Sequence, residues 1–467
     1  MTKNRILIAA ALLAGASLSA PAMAQTVPGP IDLQNLVTIA IASNPEVIEA
    51  QMNTEAIQFE REQAQGLYFP TVDLEASAGA RRLENNTRRT LGIADDWLYP
   101  LEAQAFADWT LIDFGRRRGE LLRQAARVDG ASLRVVERSE FIALQVARQY
   151  LNILLQERIV AAAQDNALFH RQMSGSLAEG VDQGSISVAD LQQAEERLQA
   201  AVVTQTEAEE DLANARTALR RLAGMDVSAV PVPPDLSALM PNSREEAIGL
   251  ARTVNPLVME AQADVDAANA MVTSAKGELY PKIGVDLRGR VGEDIDGFKG
   301  ETNDIQGRVY VRWNIFNGGI YQAQVQEMVR RASEQRYRLH NRVREAEEDV
   351  TNAWTALDTQ RKVGQALERQ SSVSDDLLLS YRSQFNIGRR SLLDVLDAQN
   401  TRFNTQVRRE TSRFSEIFAQ YQVLAATNRF LEALGVAPGA GAGKMERERF
   451  DYGPSVEAEL HRRRYPR

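Results

Sequence analysis

The distribution of proline restricts the fold of this chain more than any other feature of its sequence. Between Pro100 and Pro231 there is no proline, and between Pro281 and Pro438 there is again none. A proline inside a helix removes a hydrogen bond and clashes with the preceding turn, so both intervals can form uninterrupted helix. Both are also rich in Ala, Leu, Glu, Gln and Arg, which favour helix. The sequence therefore predicts very long helices.

Within these two intervals the apolar residues recur every three or four positions. Examples are Leu144, Ala147, Leu151 and Leu155 in the first interval and Val343, Ala346, Val350 and Trp354 in the second. This spacing is typical of coiled coils. One helix, predicted from about residue 116 to residue 182, would be on the order of 100 Å long, much longer than a compact domain requires. Such a helix is suited to connect two places that lie far apart.

The two halves of the chain match each other, which indicates duplication of one structural unit. At an offset of 211 (255 minus 44) and then of 204 (313 minus 109), the pairs are Asn44-Pro45 with Asn255-Pro256, Gly66 with Gly277, Phe69-Pro70 with Tyr280-Pro281, Trp109 with Trp313, Asp113 with Asn317, Gly115 with Gly319, Gly184 with Gly388, Ser187 with Ser391 and Asp190 with Asp394. We predict one unit over residues 25–230 and a second over 231–437.

Each unit is predicted to hold two strands after its first helix. Apolar and polar residues alternate over 71–80, 101–111, 283–291 and 309–315. A soluble sheet with one face on a core would show the same alternation. Aromatic residues at the strand ends and long polar loops at 82–97 and 291–304 favour a membrane sheet instead. Four strands cannot close a barrel, so the chain is expected to associate with copies of itself.

The first 24 residues have the features of a secretory signal peptide. Lys3 and Arg5 form a basic start, an apolar stretch follows, and Ala22-Met23-Ala24 fits the cleavage pattern. Removing the two basic residues changes the formal charge from -9 to -11, so the mature chain is acidic and a nucleic-acid partner is not favoured.

Cysteine and histidine usage argues against metal, cofactor and catalytic chemistry. The chain has no cysteine, which excludes disulfides, thiol catalysis and cysteine-ligated metal. Its three histidines, His170, His340 and His461, are widely separated, and an isolated histidine on a polar helix or tail is usually solvated. We therefore predict no metal, no cofactor and no enzyme activity.

The sequence resembles the TolC family of outer-membrane channel-tunnels over the mature chain up to about Val436. The resemblance is carried by the two Asn-Pro pairs, the two aromatic-Pro pairs, the strand-to-helix turns Trp109–Gly115 and Trp313–Gly319, and the segment Tyr381–Gln399. It implies a homotrimer whose twelve strands form one transmembrane β-barrel, continued by a periplasmic coiled-coil barrel of helices. We therefore expect a mainly α chain with a β-barrel portion, in the outer membrane of a Gram-negative bacterium and in contact with its lipid.

The resemblance also assigns the two helix-hairpin tips to contact with a periplasmic adaptor protein. The tip residues are Gly184, Ser185, Ile186 and Ser187 in the first half and Gly388, Arg389, Arg390 and Ser391 in the second. Exposed loop tips often carry function. The alternative is that the glycines only serve the reversal of the chain.

Asp394 and Asp397 are three residues apart and so share one face of a helix. The resemblance matches them to acidic residues that line a periplasmic aperture, where carboxylates favour cations. The alternatives are a solvated helix start, where acids are favoured anyway, and a catalytic acid pair. Asp190 is only a secondary candidate, because the first half has Gln at the position equivalent to Asp397.

The leading functional hypothesis is the exit duct of a type I secretion system, working with an adaptor and an inner-membrane ABC exporter. The segments 385–394 and 431–435 resemble secretion-type family members. The alternatives are the outer-membrane component of a multidrug efflux pump driven by an RND-type transporter, and a periplasmic coiled-coil scaffold without a pore. Residues 438–467 are Gly/Ala-rich and then charged, and we predict a flexible tail there.

Overall fold

The computed structural model describes residues 30–450 and residue 452, so the predicted signal peptide lies outside the described residues. The helices are α1 Leu33–Ser43, α2 Pro45–Gly66, α3 Asn86–Thr90, α4 Arg116–Asp182, α5 Val188–Ala223, α6 Arg244–Val254, α7 Pro256–Gly277, α8 Ile320–Asn386, α9 Leu392–Ala426 and α10 Phe430–Leu434. The strands are β1 Thr71–Ala78, β2 Arg81–Arg82, β3 Trp97–Leu98, β4 Leu101–Ile112, β5 Lys282–Glu293 and β6 Glu301–Arg312.

The predicted long helices are confirmed. α4 and α8 each contain 67 residues, and α4 has the bounds expected from the sequence. At the standard rise each helix is about 100 Å long. Within the described chain, no helix combines the length and apolar character needed to cross a membrane.

The duplication is also confirmed, because the second half repeats the long helices and long strands of the first in the same order, while the small elements β2, α3 and β3 occur in the first half alone among the described residues. In each half two shorter helices meet end to end beside the long one. The side chain of Asn44 caps α2 and donates to the carbonyl of Leu222 in α5 at 3.4 Å, while Asn255 caps α7 and donates to the carbonyl of Ala426 in α9 at 3.3 Å. An asparagine can do both because it carries an acceptor and two donors.

The two halves join through α4, which packs against α5 and α2 of its own half and against α7 and α9 of the other. A buried core of α1, α4, α5, α9 and α10 holds this junction together near the middle of α4. Tyr150 and Tyr421 lie in this core, and their hydroxyls donate to the carbonyls of Pro231 and Pro234 in the linker between the halves.

The four long strands form one antiparallel sheet in the order β1-β4-β5-β6. The prediction of a long loop over 291–304 is wrong, because β5 continues to Glu293 and β6 begins at Glu301. Polar residues alternate through this region and pair across the strands, as Arg290 does with Asp304 at 3.7 Å. The alternation of apolar residues is therefore weak over residues 291–304, although the two strands continue into this region.

The prediction of a flexible tail is wrong for the described residues 438–450 and 452, which pack along α4. Backbone amides of this segment donate to Ser139, Ser132 and Asp129, which are all buried. Arg447 then pairs with Asp129 at 2.9 Å. The three acceptors are seven and three residues apart and so lie along one face of α4, which offers a row of polar contacts to the tail.

Candidate functional site

The four-stranded sheet has one apolar and one polar face. Leu74, Ala105, Gly289 and Ile305 form one row across all four strands and so lie on the same face. This face is open in the single chain, where Leu74 is 83% exposed and Ile305 is 84% exposed. A soluble antiparallel sheet would bury such a face on its core.

The opposite face holds polar side chains that contact one another from strand to strand. The hydrogen bonds, from donor to acceptor, join Gln104 to Glu75 (2.6 Å), Arg308 to Asp286 (2.9 Å) and Tyr310 to Asp108 (2.9 Å). Arg288 and Arg290 both lie 3.8 Å from Glu102. The sheet is therefore apolar on the exposed side and charged on the other, which is the inverse of a soluble sheet.

The first strand-to-helix turn is held by Asp113 and Arg117. Arg117 donates to Asp113 at 2.8 Å and to the carbonyl of Thr110 at 2.7 Å, and its guanidinium lies over the ring of Tyr68. The indole of Trp109 donates to the carbonyl of Tyr68 at 2.9 Å. These contacts tie β4, α4 and the end of α2 together. Arg117 and Tyr68 were not predicted as turn residues, although the i,i+4 spacing of Asp113 and Arg117 is visible in the sequence.

The second turn repeats part of this arrangement. The indole of Trp313 donates to the carbonyl of Leu279 at 3.2 Å, as Trp109 does in the first half. Gly319 precedes α8 with a positive φ, as Gly115 precedes α4. Asn317 takes the place of Asp113 and is half-buried. The structure therefore brings the predicted turn residues to equivalent places in the two halves.

α4 and α7 approach each other through two glycines. A Cβ on Gly277 would lie 2.8 Å from the amide nitrogen of Arg116, and a Cβ on Gly119 would lie 2.4 Å from that of Ser274. Gly66, the counterpart of Gly277, has no described atom within 4 Å of its Cβ position. The surface that joins the halves within the chain is thus repeated on α2, where nothing in the described chain covers it.

The uncovered face of α2 is more apolar than its counterpart. Met52 and Phe59 are 52% and 63% exposed, whereas Ala263 and Ala270, their counterparts in α7, are 0% and 3% exposed. Strands β1 and β6 likewise have one neighbour each in the described sheet. One side of the chain, with α2 and β1, and the opposite side, with α8 and β6, are therefore both open.

The hairpin tips have the same turn in both halves. Gly184 and Gly388 have φ values of +72° and +70°, which glycine adopts without strain. The amide of Ser185 donates to the carbonyl of Gly180 and that of Arg389 to the carbonyl of Gln384, both at 2.9 Å. All eight predicted tip residues are exposed or half-buried, the half-buried ones being Ile186 and Arg390.

The predicted aperture residues differ in what their carboxylates do. Asp394 accepts from the hydroxyl of Ser391 at 2.8 Å in a capping box and lies 3.7 Å from Arg390. Asp190 accepts from Ser187 at 2.7 Å in the same way. Asp397 is exposed, and the described chain gives its carboxylate no hydrogen bond or ion pair. Helix capping therefore accounts for Asp394 and Asp190 but not for Asp397.

The two described histidines, His170 in α4 and His340 in α8, do not form a common site. His170 is buried, contrary to the expectation that it is solvated, and burial lowers its pKa. His340 is exposed, and His461 lies outside the described residues. Over residues 30–450 and 452, no group of three or more metal-ligating side chains could hold an ion.

The comparisons with known proteins agree with this architecture. BepC, an outer membrane efflux protein of Brucella suis, is 25% identical over 291 residues, which are 61% of this chain and 62% of BepC. CyaE of Bordetella pertussis is 25% identical over 313 residues, 64% of this chain and 65% of CyaE. The match thus spans less than two thirds of either relative. The outer membrane channel CmeC of Campylobacter jejuni has the same fold, with a TM-score of 0.74 at 16% identity, over 85% of this chain and 86% of CmeC.

The sequence profile of the family described as Outer membrane efflux protein matches residues 36–225 and 247–436. These two stretches are most of the chain, and they coincide with its two structural repeats. The chain therefore belongs to the outer membrane efflux protein family, a family of outer-membrane channels of Gram-negative bacteria.

Proposed function

We propose that three copies of this chain close into a ring that forms the outer-membrane exit duct of an export assembly. The observation that carries this proposal is the exposed apolar face of the sheet, together with its two open edges. In a bilayer this face contacts lipid, and the open edges must pair because hydrocarbon offers their backbone groups no hydrogen bonds. The paired polar face then lines the lumen.

The junction between the halves supplies the geometry of the ring. Within the chain, β5 and α7 of the second half pack on β4 and α4 of the first. The same contact between copies would seat β1 and α2 of one copy on β6 and α8 of the next. A head-to-tail contact of this kind produces a closed ring when its rotation closes. The number three comes from the family resemblance.

The long helices would carry the duct about 100 Å into the periplasm. Their tips, around Gly184 and Gly388, are the proposed contact for an adaptor of an inner-membrane ABC exporter or RND-type pump. Since the chain has no cysteine, a single Ser185→Cys variant can be labelled uniquely with a photo-cross-linker. We expect a cross-link to the adaptor from Ser185 and none from the control Thr206→Cys, an exposed position within α5. Equal cross-linking from both positions would argue against a tip contact.

Asp397 is the proposed aperture residue, because its carboxylate is not used within the chain. In planar bilayers, Asp397→Asn should weaken block of the conductance by divalent cations, whereas the control Asp165→Asn, at an exposed acid within α4, should leave it unchanged. Asp394→Asn also alters the helix cap, so it serves only as a second variant. Block that is the same in all variants removes these residues from the aperture. A protein that never conducts is the scaffold alternative, and the duct proposal then fails.

Two classes of cargo fit such a duct. The segment 385–394 favours an unfolded protein delivered by an ABC exporter, which is type I secretion. The description of BepC as an efflux protein favours small molecules instead. A deletion strain separates the two: loss of a secreted protein supports secretion, and increased sensitivity to drugs supports efflux. Complementation with the intact chain is the control.

A further inference from the structure

A cavity of about 500 Å³ lies between α4, α8 and the junction where α9 meets α7. Three carboxylates line it, those of Glu137, Glu140 and Asp349. None of the described lining residues is basic. The size is that of a site for a small organic molecule.

Glu140 is only 7% exposed and lines this cavity. Its Oε1 accepts a hydrogen bond from the amide of Leu431 at 3.3 Å, but its buried Oε2 has no partner in the described chain. A buried carboxylate oxygen without a donor is costly. Burial raises the pKa of Glu140 to about 8, against the lowering effect of the Leu431 amide. The repeat does not require an acid here, since the second-half counterpart of Glu140 is Arg344 (344 minus 140 is 204).

The other charges near the cavity leave it acidic. Arg138 pairs with Glu137 at 2.5 Å and stacks over the ring of Phe141, so Glu137 is already neutralised. Asp349 has a pKa raised by burial and by the neighbouring Glu348 and Glu345. Glu140 and Asp349 are therefore the two carboxyls that a bound cation would satisfy.

The cavity lies on faces of α4 and α8 other than those that α1 and α6 cover. α1 packs on the face of α4 that carries Ile142 and Val146, and α6 packs on the face of α8 that carries Ala346 and Val350. Helices inside the proposed ring would fill the duct, so α1 and α6 lie outside it. The cavity then opens toward the lumen.

We propose that this cavity binds a small organic cation with an apolar body. Its ammonium or guanidinium group donates to the free oxygen of Glu140 near Asp349, and its apolar part lies against Phe141, Leu144 and Leu257, which also line the cavity. This inference rests on the proposed duct only for the route by which the cation arrives. Binding itself can be measured in the purified protein whether or not it conducts.

The test is a titration of ethidium, an aromatic cation, against the purified full-length protein in detergent, followed by fluorescence anisotropy. Glu140→Gln keeps the acceptor for Leu431 but cannot ionise when a cation binds, and it should weaken ethidium binding about tenfold or more. Asp349→Asn should weaken it less. The matched control is Glu209→Gln, an exposed acid of α5 that should leave the affinity unchanged. The uncharged probe N-phenylnaphthylamine should bind the Glu140→Gln variant as well as the parent.

Circular dichroism of each variant shows whether it is folded. Equal ethidium affinity in Glu140→Gln and Glu209→Gln, or no saturable ethidium binding to the parent, overturns the site. Conductance without ethidium binding refutes the site but leaves the duct, whereas ethidium binding without conductance refutes the duct but leaves the site.

Discussion

Gly66, at the end of α2, is a position where one added methyl group should disrupt the proposed ring without disturbing the single chain. Within the chain no described atom lies within 4 Å of its Cβ position. At Gly277, its counterpart, an added Cβ would lie 2.8 Å from the nitrogen and 3.1 Å from the Cα of Arg116. If the ring repeats this junction between copies, Gly66→Ala introduces the same clash against the start of α8 of the next copy. We therefore expect Gly66→Ala to weaken assembly and to leave the single chain folded.

The size of the effect follows from the contact. Overpacking against backbone that cannot move away costs about 1–3 kcal/mol. A trimer contains the junction three times, so the total is about 3–9 kcal/mol, which lowers the assembly constant by about two to six orders of magnitude. In the isolated chain, alanine in place of a helical glycine stabilises the helix by about 0.5–1 kcal/mol. The two effects have opposite signs and can be separated.

The assay is the trimer fraction on dilution in detergent, measured by mass photometry, with circular dichroism as the check of the fold. The matched control is Gly249→Ala in α6, an exposed glycine whose Cβ position is also open. Gly277→Ala should instead destabilise each chain. The reasoning is refuted if Gly66→Ala dissociates at the same concentration as the parent and the control.

Two further predictions concern buried carboxyls of α4. Asp129→Asn places a side-chain amide, itself a donor, against the backbone donors of the tail. The free energy of opening the tail should fall by about 3 kcal/mol, so the backbone amides of Glu446 and Arg447 should exchange hydrogen about a hundredfold faster. The control Asp226→Asn, at an exposed position, should not change these exchange rates. The pKa of Glu140 is about 8 when folded and 4.5 in the reference state, so folding stability is lost as pH rises between these values, by at most about 5 kcal/mol. Glu140→Gln removes this loss, and its stability advantage in thermal melts should grow from pH 5 to pH 9; an advantage that is the same at both pH values argues against a buried neutral carboxyl.

The long helices could be predicted because their signals are local. The absence of proline and the heptad spacing act within each turn, so α4 begins and ends where the sequence indicates. The strands were predicted from the same kind of local alternation. At 291–304 the prediction failed because ion pairs between strands, such as Arg290 with Asp304, extend the sheet where the apolar alternation stops.

The tail and the cavity could not be predicted from local patterns. The composition of residues 438–450 is typical of a flexible segment, but its hydrogen-bond acceptors lie on α4, 300 residues or more away in the sequence, as Ser139 is from Gly439. Glu140 looks like one more polar residue of a coiled coil, and only the packing of α10 over it leaves one oxygen buried. The capping role of Asp394 was visible in the sequence, since a serine three residues before an acid is a helix-start signal.

The differences between α2 and α7 can be explained by the contacts that they make, since α7 packs within its own chain whereas α2 would pack against another copy in the proposed ring. The α4 and α7 surfaces meet within one chain, so their contact does not have to offset the loss of translational freedom, and small residues such as Ala263 and Ala270 suffice there. In the proposed ring the equivalent contact joins separate copies and would have to offset that loss. Its α2 surface carries Met52 and Phe59 at the same positions, and full burial of such side chains contributes about 1.5–3 kcal/mol each. The extra apolar surface therefore lies on the side that the proposed ring would bury between separate copies.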